Sequence, residues 1–182
     1  MNYTNLTLLD ILKTESITST HERAFIADDI FDILAEAYSD VKGGLLFSSV
    51  DDLILKTAMW KVIYFQSNIV GVVIYKAKKG LKMVALAISS QVNKKLRNNI
   101  KIMLHEIFKM TFGKTWMEVS EGAEKFLMKI GGIKFMLPNT LANSLTGKEI
   151  LSLDEDGYHY YREINGIVKR KIILGTVKNE KV

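Results

Sequence analysis

The sequence contains no cysteine and a single proline, Pro138, among its 182 residues. The lack of cysteine excludes disulfides, thiolate nucleophiles and cysteine-ligated metals, and it is typical of a reducing compartment such as the cytoplasm. The three histidines are scattered without the HExxH spacing of a zinc site, so no metal site is expected. P-loop, dinucleotide-binding and Ser-His-Asp nucleophile motifs are also missing.

Long apolar runs are lacking as well. No run approaches the roughly 20 residues of a membrane helix, and the N-terminus has no basic region followed by an apolar core, so we expect neither a membrane span nor a signal peptide. With 48% hydrophobic and 25% charged residues the composition is globular, and the length suggests a single domain over residues 1–182. A net charge of +5 favours anionic partners.

Two helices are predicted before the first strand. Apolar residues recur at helical spacing between His21 and Ser39, and Ser19 or Thr20 can cap this helix. Ser49 precedes two acidic residues, which predicts a second short helix through Lys56, because acids stabilise the positive end of a helix. The apolar positions of the first helix are Phe25, Ile26, Ile30, Ile33, Leu34 and Ala37.

Three runs rich in β-branched and aromatic residues follow in close succession, at Trp60–Gln66, Ile69–Lys76 and Leu81–Ile88. Connections this short force antiparallel pairing, with a tight turn predicted at Ser67-Asn68. The two tryptophans, Trp60 and Trp116, open strands and are expected to anchor the core.

The apolar period then becomes helical between Asn93 and Lys109, and the next strand is predicted at Lys114–Val119. A helix at Glu121–Gly132 and a strand at Ile133–Leu137 follow, and this order implies a right-handed parallel crossover. Where an antiparallel meander meets a parallel unit, two neighbouring strands can diverge, and ligands bind at such switch points.

A short helix capped by Asn139 is predicted at the start of the C-terminal region. This region then offers two β-rich runs, Tyr158–Ile164 and Ile167–Leu174, around the dipeptide Asn165-Gly166. Asn-Gly between two such runs is a strong hairpin signal, so we predict an antiparallel hairpin at or beside the end of the sheet.

This order of elements resembles the GNAT superfamily of acyl-CoA-dependent N-acyltransferases over Phe25–Leu174, and the segment Ala123–Phe135 resembles the helix and strand near that family's C-terminus. The resemblance implies an α/β (α+β) fold: a mixed, mostly antiparallel sheet with a splayed central strand pair, flanked by helices. The basic helix and the segment DGYHYYREING are also similar to GNAT-like proteins encoded by phages. That likeness implies that the protein is located in the cytoplasm of a phage-infected bacterium.

The resemblance implies acetyl-CoA or another acyl-CoA as cofactor, held by the third meander strand and the loop after it. In this loop Gln91 begins the family's phosphate-binding motif, but the glycines that let backbone approach a pyrophosphate are absent. Lys94, Lys95 and Arg97 stand there instead; they either bind the phosphates of coenzyme A or of a nucleic acid by charge, or form a solvated helix face. The strand residues expected to bind the pantetheine arm are Ala85, Leu86, Ala87 and Ile88.

Acyl transfer to an amine needs a base and a proton donor for the leaving thiolate. By the resemblance these lie near the ends of the central strands, which indicates Glu118 as base and Ser120 beside it; Ser120 is equally a helix cap. The tyrosine that acts as general acid in many family members corresponds to Phe126 here. Tyr160 is therefore the candidate for donating a proton to the thiolate. The predicted catalytic set is therefore Glu118, Ser120 and Tyr160.

The stretch Asp154–Glu163 is the densest in polar and aromatic residues. Alternation along a strand places Tyr160 and Arg162 on one face and His159 and Tyr161 on the other. His159, Tyr161 and Arg162 are therefore candidates for substrate binding, with the arginine on a carboxylate or phosphate and the aromatics stacked on a ring or base. The alternative is an edge hairpin whose aromatics pack across strands.

Three functions follow from these features. The first is transfer of an acyl group from acyl-CoA to the amine of a small molecule or a protein. The second is a phage-type GNAT-fold protein that modifies or binds nucleic acid. The third is a non-catalytic binding or structural descendant of the fold, suggested by the missing glycines and tyrosine.

Overall fold

A computed structural model of the chain describes residues 11–41, 44–78, 80–110, 115–119, 160–164 and 167–173. The chain separates into two compact units. The first unit comprises Met1–Ala77 and Met83–Met103, and the second comprises Lys78–Lys82 and Leu104–Val182.

The first unit is built on the antiparallel strands of the predicted meander. Their order is β1-β2-β3-β4, in which β1 pairs antiparallel with β2 and β2 antiparallel with β3. The register sets Ile17 and Ile74 opposite Trp60 on its two sides. The strands are β1 (Leu12–Ile17), β2 (Met59–Phe65), β3 (Asn68–Ala77) and β4 (Leu81–Ile88).

Strand β1 has no counterpart among the predicted strands. Only its two ends, Leu12 and Ile17, are buried, and the four residues between them are exposed. The segment therefore lacks the alternation that marks a half-buried strand. It lies at an edge of the sheet order, where polar and charged side chains are usual.

The turn between β2 and β3 differs by one residue from the prediction. The two residues between the strands are Gln66 and Ser67, with positive φ angles of 49° and 70°, and Asn68 is the first residue of β3. Positive φ at both central residues is the type I′ geometry that matches the twist of a hairpin. Neither residue is glycine, so the turn holds two side chains in a backbone region they disfavour.

The three predicted helices that fall within the described residues are confirmed, with small shifts at their ends. Helix α1 (Thr20–Tyr38) is capped by Ser19, whose side chain accepts a hydrogen bond from the N–H of Glu22 at 3.4 Å. Helix α2 (Val50–Leu55) is capped by Ser49 in the same way, at 3.1 Å. The long helix α3 spans Lys94–Met110.

The core of the first unit lies between α1 and one face of the sheet. Its buried members include Ala27, Ile30 and Leu34 of α1, and on the strands Trp60, Val62, Val72, Ile74, Ala85 and Ala87. The prediction that Phe25 belongs to this face is wrong: its side chain is 74% exposed, while Arg23 is buried. The expectation for Trp60 is confirmed, since it is fully buried.

The opposite face of the first unit's sheet is covered by the start of α3, through the buried Leu96 and Ile100. Gly71 of β3 allows a close approach here, since a Cβ at this position would lie 3.3 Å from Ile63 Cδ1 and 3.5 Å from Ile100 Cγ2. The sheet is thus packed on both faces within this unit.

The second unit contains strands in the order β5-β7-β6, both pairs antiparallel. The strands are β5 (Thr115–Val119), β6 (Tyr160–Ile164) and β7 (Ile167–Ile173). The predicted C-terminal hairpin and the mixed, mostly antiparallel class with flanking helices are confirmed. The predicted helix Glu121–Gly132, strand Ile133–Leu137 and helix after Asn139 lie outside the described residues, and the splayed strand pair stays a prediction.

Among the described helices, none has the length and apolar character that a membrane crossing requires.

Candidate functional site

The start of helix α3 carries the predicted phosphate-binding residues. Asn93 caps it: the side-chain Oδ1 accepts a hydrogen bond from the N–H of Leu96 at 2.9 Å, and the carbonyl oxygen accepts from the N–H of Arg97 at 2.9 Å. This cap orients the first turn of a helix whose N–H groups form a positive end. The sequence signal is the asparagine before the periodic run.

Two lysines stand in this positive first turn. The side chains of Lys94 and Lys95 are exposed, the turn contains no acidic residue, and within the described residues neither lysine forms an ion pair. Cations at a helix N-terminus are unfavourable, by typically about 0.3–1 kcal/mol each, and acids normally occupy these positions. The arrangement leaves positive charge that an external anion can balance.

Hydrogen bonds to Ser89 stabilise the loop between β4 and α3. Arg97 Nη2 donates to the carbonyl oxygen of Ser89 at 3.1 Å, and the N–H of Gln91 donates to Ser89 Oγ at 3.3 Å. Arg97 is therefore engaged with backbone, unlike Lys94 and Lys95. No glycine is present in this loop, so a phosphate bound here would contact the lysine side chains by charge and would not sit in a close backbone cradle.

Strand β4 presents one backbone group to the side chain of Tyr38. The N–H of Leu86 donates to the Tyr38 hydroxyl oxygen at 3.3 Å, while the side chains of Ala85 and Ala87 are buried in the core. Burial raises the pKa of the Tyr38 phenol, and the hydrogen bond from Leu86 opposes that shift. The predicted pantetheine-binding strand thus has a polar contact midway along its length.

The end of α1 also holds the second of the two serines that follow β4. Ser90 Oγ donates to Glu36 Oε1 at 2.5 Å. Together with the contact between Tyr38 and Leu86, this bond fixes the last turn of α1 against the end of β4. No sequence signal marks either Glu36 or Tyr38 as part of a site.

Glu118, the predicted base, belongs to the second unit. Its carboxylate forms an ion pair with Lys82 Nζ, and the side chains of Glu118 and Lys82 are only 12% and 13% exposed. The same ammonium group lies 4.7 Å from the centre of the Trp116 ring, whose Nε1 donates to the carbonyl oxygen of Lys78 at 2.9 Å. An ammonium partner stabilises the charged carboxylate. Trp116 is half-buried, so the expectation that it anchors the core is wrong.

The strand register of the second unit aligns two of the predicted residues. Glu118 of β5 is opposite Lys171 of β7, and Lys171 is opposite Tyr160 of β6, so the three backbone positions form one cross-strand row. The predicted substrate ligands Arg162 and Tyr161 are opposite Lys169 and Arg170 of β7. Ser120 and His159 lie outside the described residues.

The described residues contain no group of three potential metal ligands. A groove of about 770 Å³ lies along the β1–β2 edge of the first unit, next to the Gln66-Ser67 turn. The groove lacks the predicted site residues, so it gives no support to a role in catalysis. Its lining is Ile11, Lys13, Thr14, Glu15, Tyr64, Gln66 and Ser67.

The contacts that sequence reasoning missed join residues distant in the chain. Tyr38 and Leu86 are 48 residues apart, and Lys82 and Glu118 are 36 apart. No periodicity or motif marks such pairs.

Solved structures similar to this chain include acyltransferases and acetyltransferases. An acyl-CoA N-acyltransferase from Pseudomonas aeruginosa has a TM-score of 0.49 and 9% identity over 88% of this chain and 97% of that one. The ribosomal-protein-S18-alanine N-acetyltransferase from Escherichia coli has a TM-score of 0.46 and 10% identity, over 94% of this chain and 99% of that one. A GNAT family acetyltransferase from Elizabethkingia anophelis, with acetyl-CoA bound, has a TM-score of 0.45 and 11% identity, over 90% of this chain and 97% of that one. No family model and no curated protein matches the sequence.

Proposed function

We propose that this chain is a GNAT-like acyltransferase that moves an acyl group from coenzyme A to an amine. The observation that carries the proposal is the start of helix α3, where Lys94 and Lys95 stand exposed in a first turn without acid or ion-pair partner among the described residues. The phosphates of coenzyme A would balance this charge.

The remaining roles follow along the chain. When bound, acyl-CoA supplies a thioester carbonyl that is activated toward an amine. Lys94 and Lys95 bind its phosphates, Asn93 orients the helix start, and Arg97 with Gln91 keeps the connecting loop closed. Backbone groups of β4 bind the pantetheine arm, at Ala85, Leu86, Ala87 and Ile88.

Binding of coenzyme A tests the phosphate site. The ligand is titrated by calorimetry into the wild type, a Lys94→Ala/Lys95→Ala variant, and a Lys13→Ala control on β1, which β2 and β3 separate from β4. Loss of two charge-assisted contacts should weaken binding roughly 10-fold or more, and the control should match the wild type. Absent binding at millimolar ligand contradicts the proposal.

Glu118 is proposed as the base that accepts the amine proton, with Ser120 and Tyr160 as further catalytic candidates. Because Glu118 is paired with Lys82, loss of the pair must be separated from loss of the base. Glu118→Gln should lower turnover at least about 100-fold. Lys82→Met breaks the same ion pair but keeps the carboxylate, and it should retain turnover if the enzyme stays folded. Equal losses in both variants would assign Glu118 a structural role.

Nucleic acid is a second candidate partner, favoured by the like-charged cross-strand pair of Arg162 and Lys169 beside Arg170 and Lys171. A run of basic residues at neighbouring positions of two paired strands is the charge pattern that a phosphate backbone attracts. DNA affinity should then fall steeply with salt, and a basic-to-alanine variant of β7 should reduce that salt slope by about one for each phosphate that the variant no longer binds. Salt-insensitive or absent DNA binding rejects this candidate.

A further inference from the structure

The hydroxyl of Tyr38 is held at a fixed place on β4. Its oxygen accepts the hydrogen bond of the Leu86 N–H at 3.3 Å, and its ring is half-buried at the last residue of α1. The neighbouring bond between Ser90 and Glu36, at 2.5 Å, ties the same helix turn to the end of the strand. The first contact positions the hydroxyl, and the second holds the helix turn that carries Tyr38.

The hydroxyl retains a proton that it can donate. A tyrosine hydroxyl both accepts and donates, and among the described residues no acceptor for its hydrogen is present. Burial raises the pKa of the phenol, so the group stays protonated through the neutral range. A hydroxyl that accepts one hydrogen bond is polarised into a better donor for the next.

We propose that Tyr38 binds the acyl group of the ligand, by donating a hydrogen bond to the carbonyl oxygen of a thioester held along β4. This assignment rests on the proposed acyl-CoA function. The group that Tyr38 would recognise is the carbonyl oxygen of the thioester, which acyl-CoA has and free coenzyme A lacks. Negative charge develops on this oxygen when an amine attacks, and the same bond then strengthens because the donor is already in place.

The test compares acetyl-CoA with coenzyme A by calorimetry, in the wild type and in Tyr38→Phe. The variant should bind acetyl-CoA about 2- to 10-fold more weakly and should bind coenzyme A as the wild type does. Tyr75→Phe is the matched control, since it also removes a buried hydroxyl, one without a hydrogen-bond partner among the described residues, and it should leave the ratio of the two affinities unchanged.

The outcomes separate the two proposals. If the wild type binds both ligands and Tyr38→Phe keeps the wild-type ratio, or weakens both ligands equally, the role of Tyr38 is overturned while the proposed function stands. If the wild type binds neither ligand, the proposed function fails and this assignment with it. The amide resonance of Leu86 provides a readout in the wild type alone: acetyl-CoA should shift it more than coenzyme A does, and equal shifts would count against the role.

Discussion

Replacing Thr57 by valine should destabilise the first unit more than the loss of one hydroxyl suggests. The hydroxyl donates to the carbonyl oxygen of Leu53 at 2.6 Å and accepts from Trp60 Nε1 at 2.8 Å. It also accepts from Arg23 Nη1 at 3.1 Å, but the same nitrogen keeps its 2.6 Å bond to the Thr57 carbonyl oxygen. Valine has nearly the same shape, so the change isolates the polar contacts.

The magnitude follows from what valine leaves unpaired. The indole N–H of the fully buried Trp60 would lose its acceptor, which costs about 1–3 kcal/mol, and the bond to Leu53 contributes about 1 kcal/mol. The expected loss in the free energy of unfolding is therefore about 2–4 kcal/mol. For a chain of this length that lowers the Tm by roughly 4–16 °C.

Urea unfolding followed by far-ultraviolet circular dichroism measures the loss. Thr57→Ser keeps the hydroxyl and removes one methyl group, so it should cost only about 1 kcal/mol. In a Trp60→Phe background, where no N–H can be orphaned, Thr57→Val should cost about 1–3 kcal/mol less than it does in the wild type. A valine variant as stable as the serine variant, or a cost of Thr57→Val that is the same in both backgrounds, would refute the reasoning.

Three further predictions concern stability. Ser67→Gly should raise the free energy of unfolding by about 1 kcal/mol, because φ is 70° at this position; an unchanged urea midpoint would contradict it. Tyr75→Phe should raise it by about 1 kcal/mol, since the buried hydroxyl has no partner among the described residues; a lower Tm would contradict it. Hydrogen bonds from Lys56 and Ser48 lower the pKa of Asp52 to about 2. The stabilisation is therefore present above about pH 4 and lost as pH falls toward about 2, so the Tm advantage of the wild type over Asp52→Asn should vanish across that interval; a constant difference would contradict it.

Much of the fold follows from local signals. Helix α1 has a cap at Ser19 and an apolar period, and α2 has a cap at Ser49 followed by two acidic residues. The Asn165-Gly166 dipeptide marks the C-terminal hairpin. Strand β1 has no such signal, because four consecutive exposed residues erase the alternation. Phe25 and Arg23 show the limit of periodicity: Phe25 is one of the predicted apolar positions but is exposed, whereas Arg23 is buried and donates hydrogen bonds to Thr57.

Some residues of the candidate site can also be predicted from local sequence, and others cannot. Asn93, Lys94 and Lys95 are identifiable from the sequence because a cap and its first turn are contiguous. The contact between Tyr38 and Leu86 depends on the packing of α1 against the sheet, and no local pattern encodes it. Distant pairs of this kind require the three-dimensional structure.

A crystal structure of the protein with acetyl-CoA is the most direct test of the central claim. We predict that the ligand's phosphates lie within hydrogen-bonding distance of the Lys94 and Lys95 side chains at the start of α3, and that its pantetheine arm follows β4. A ligand bound elsewhere, or no ligand at saturating concentration, would contradict the claim.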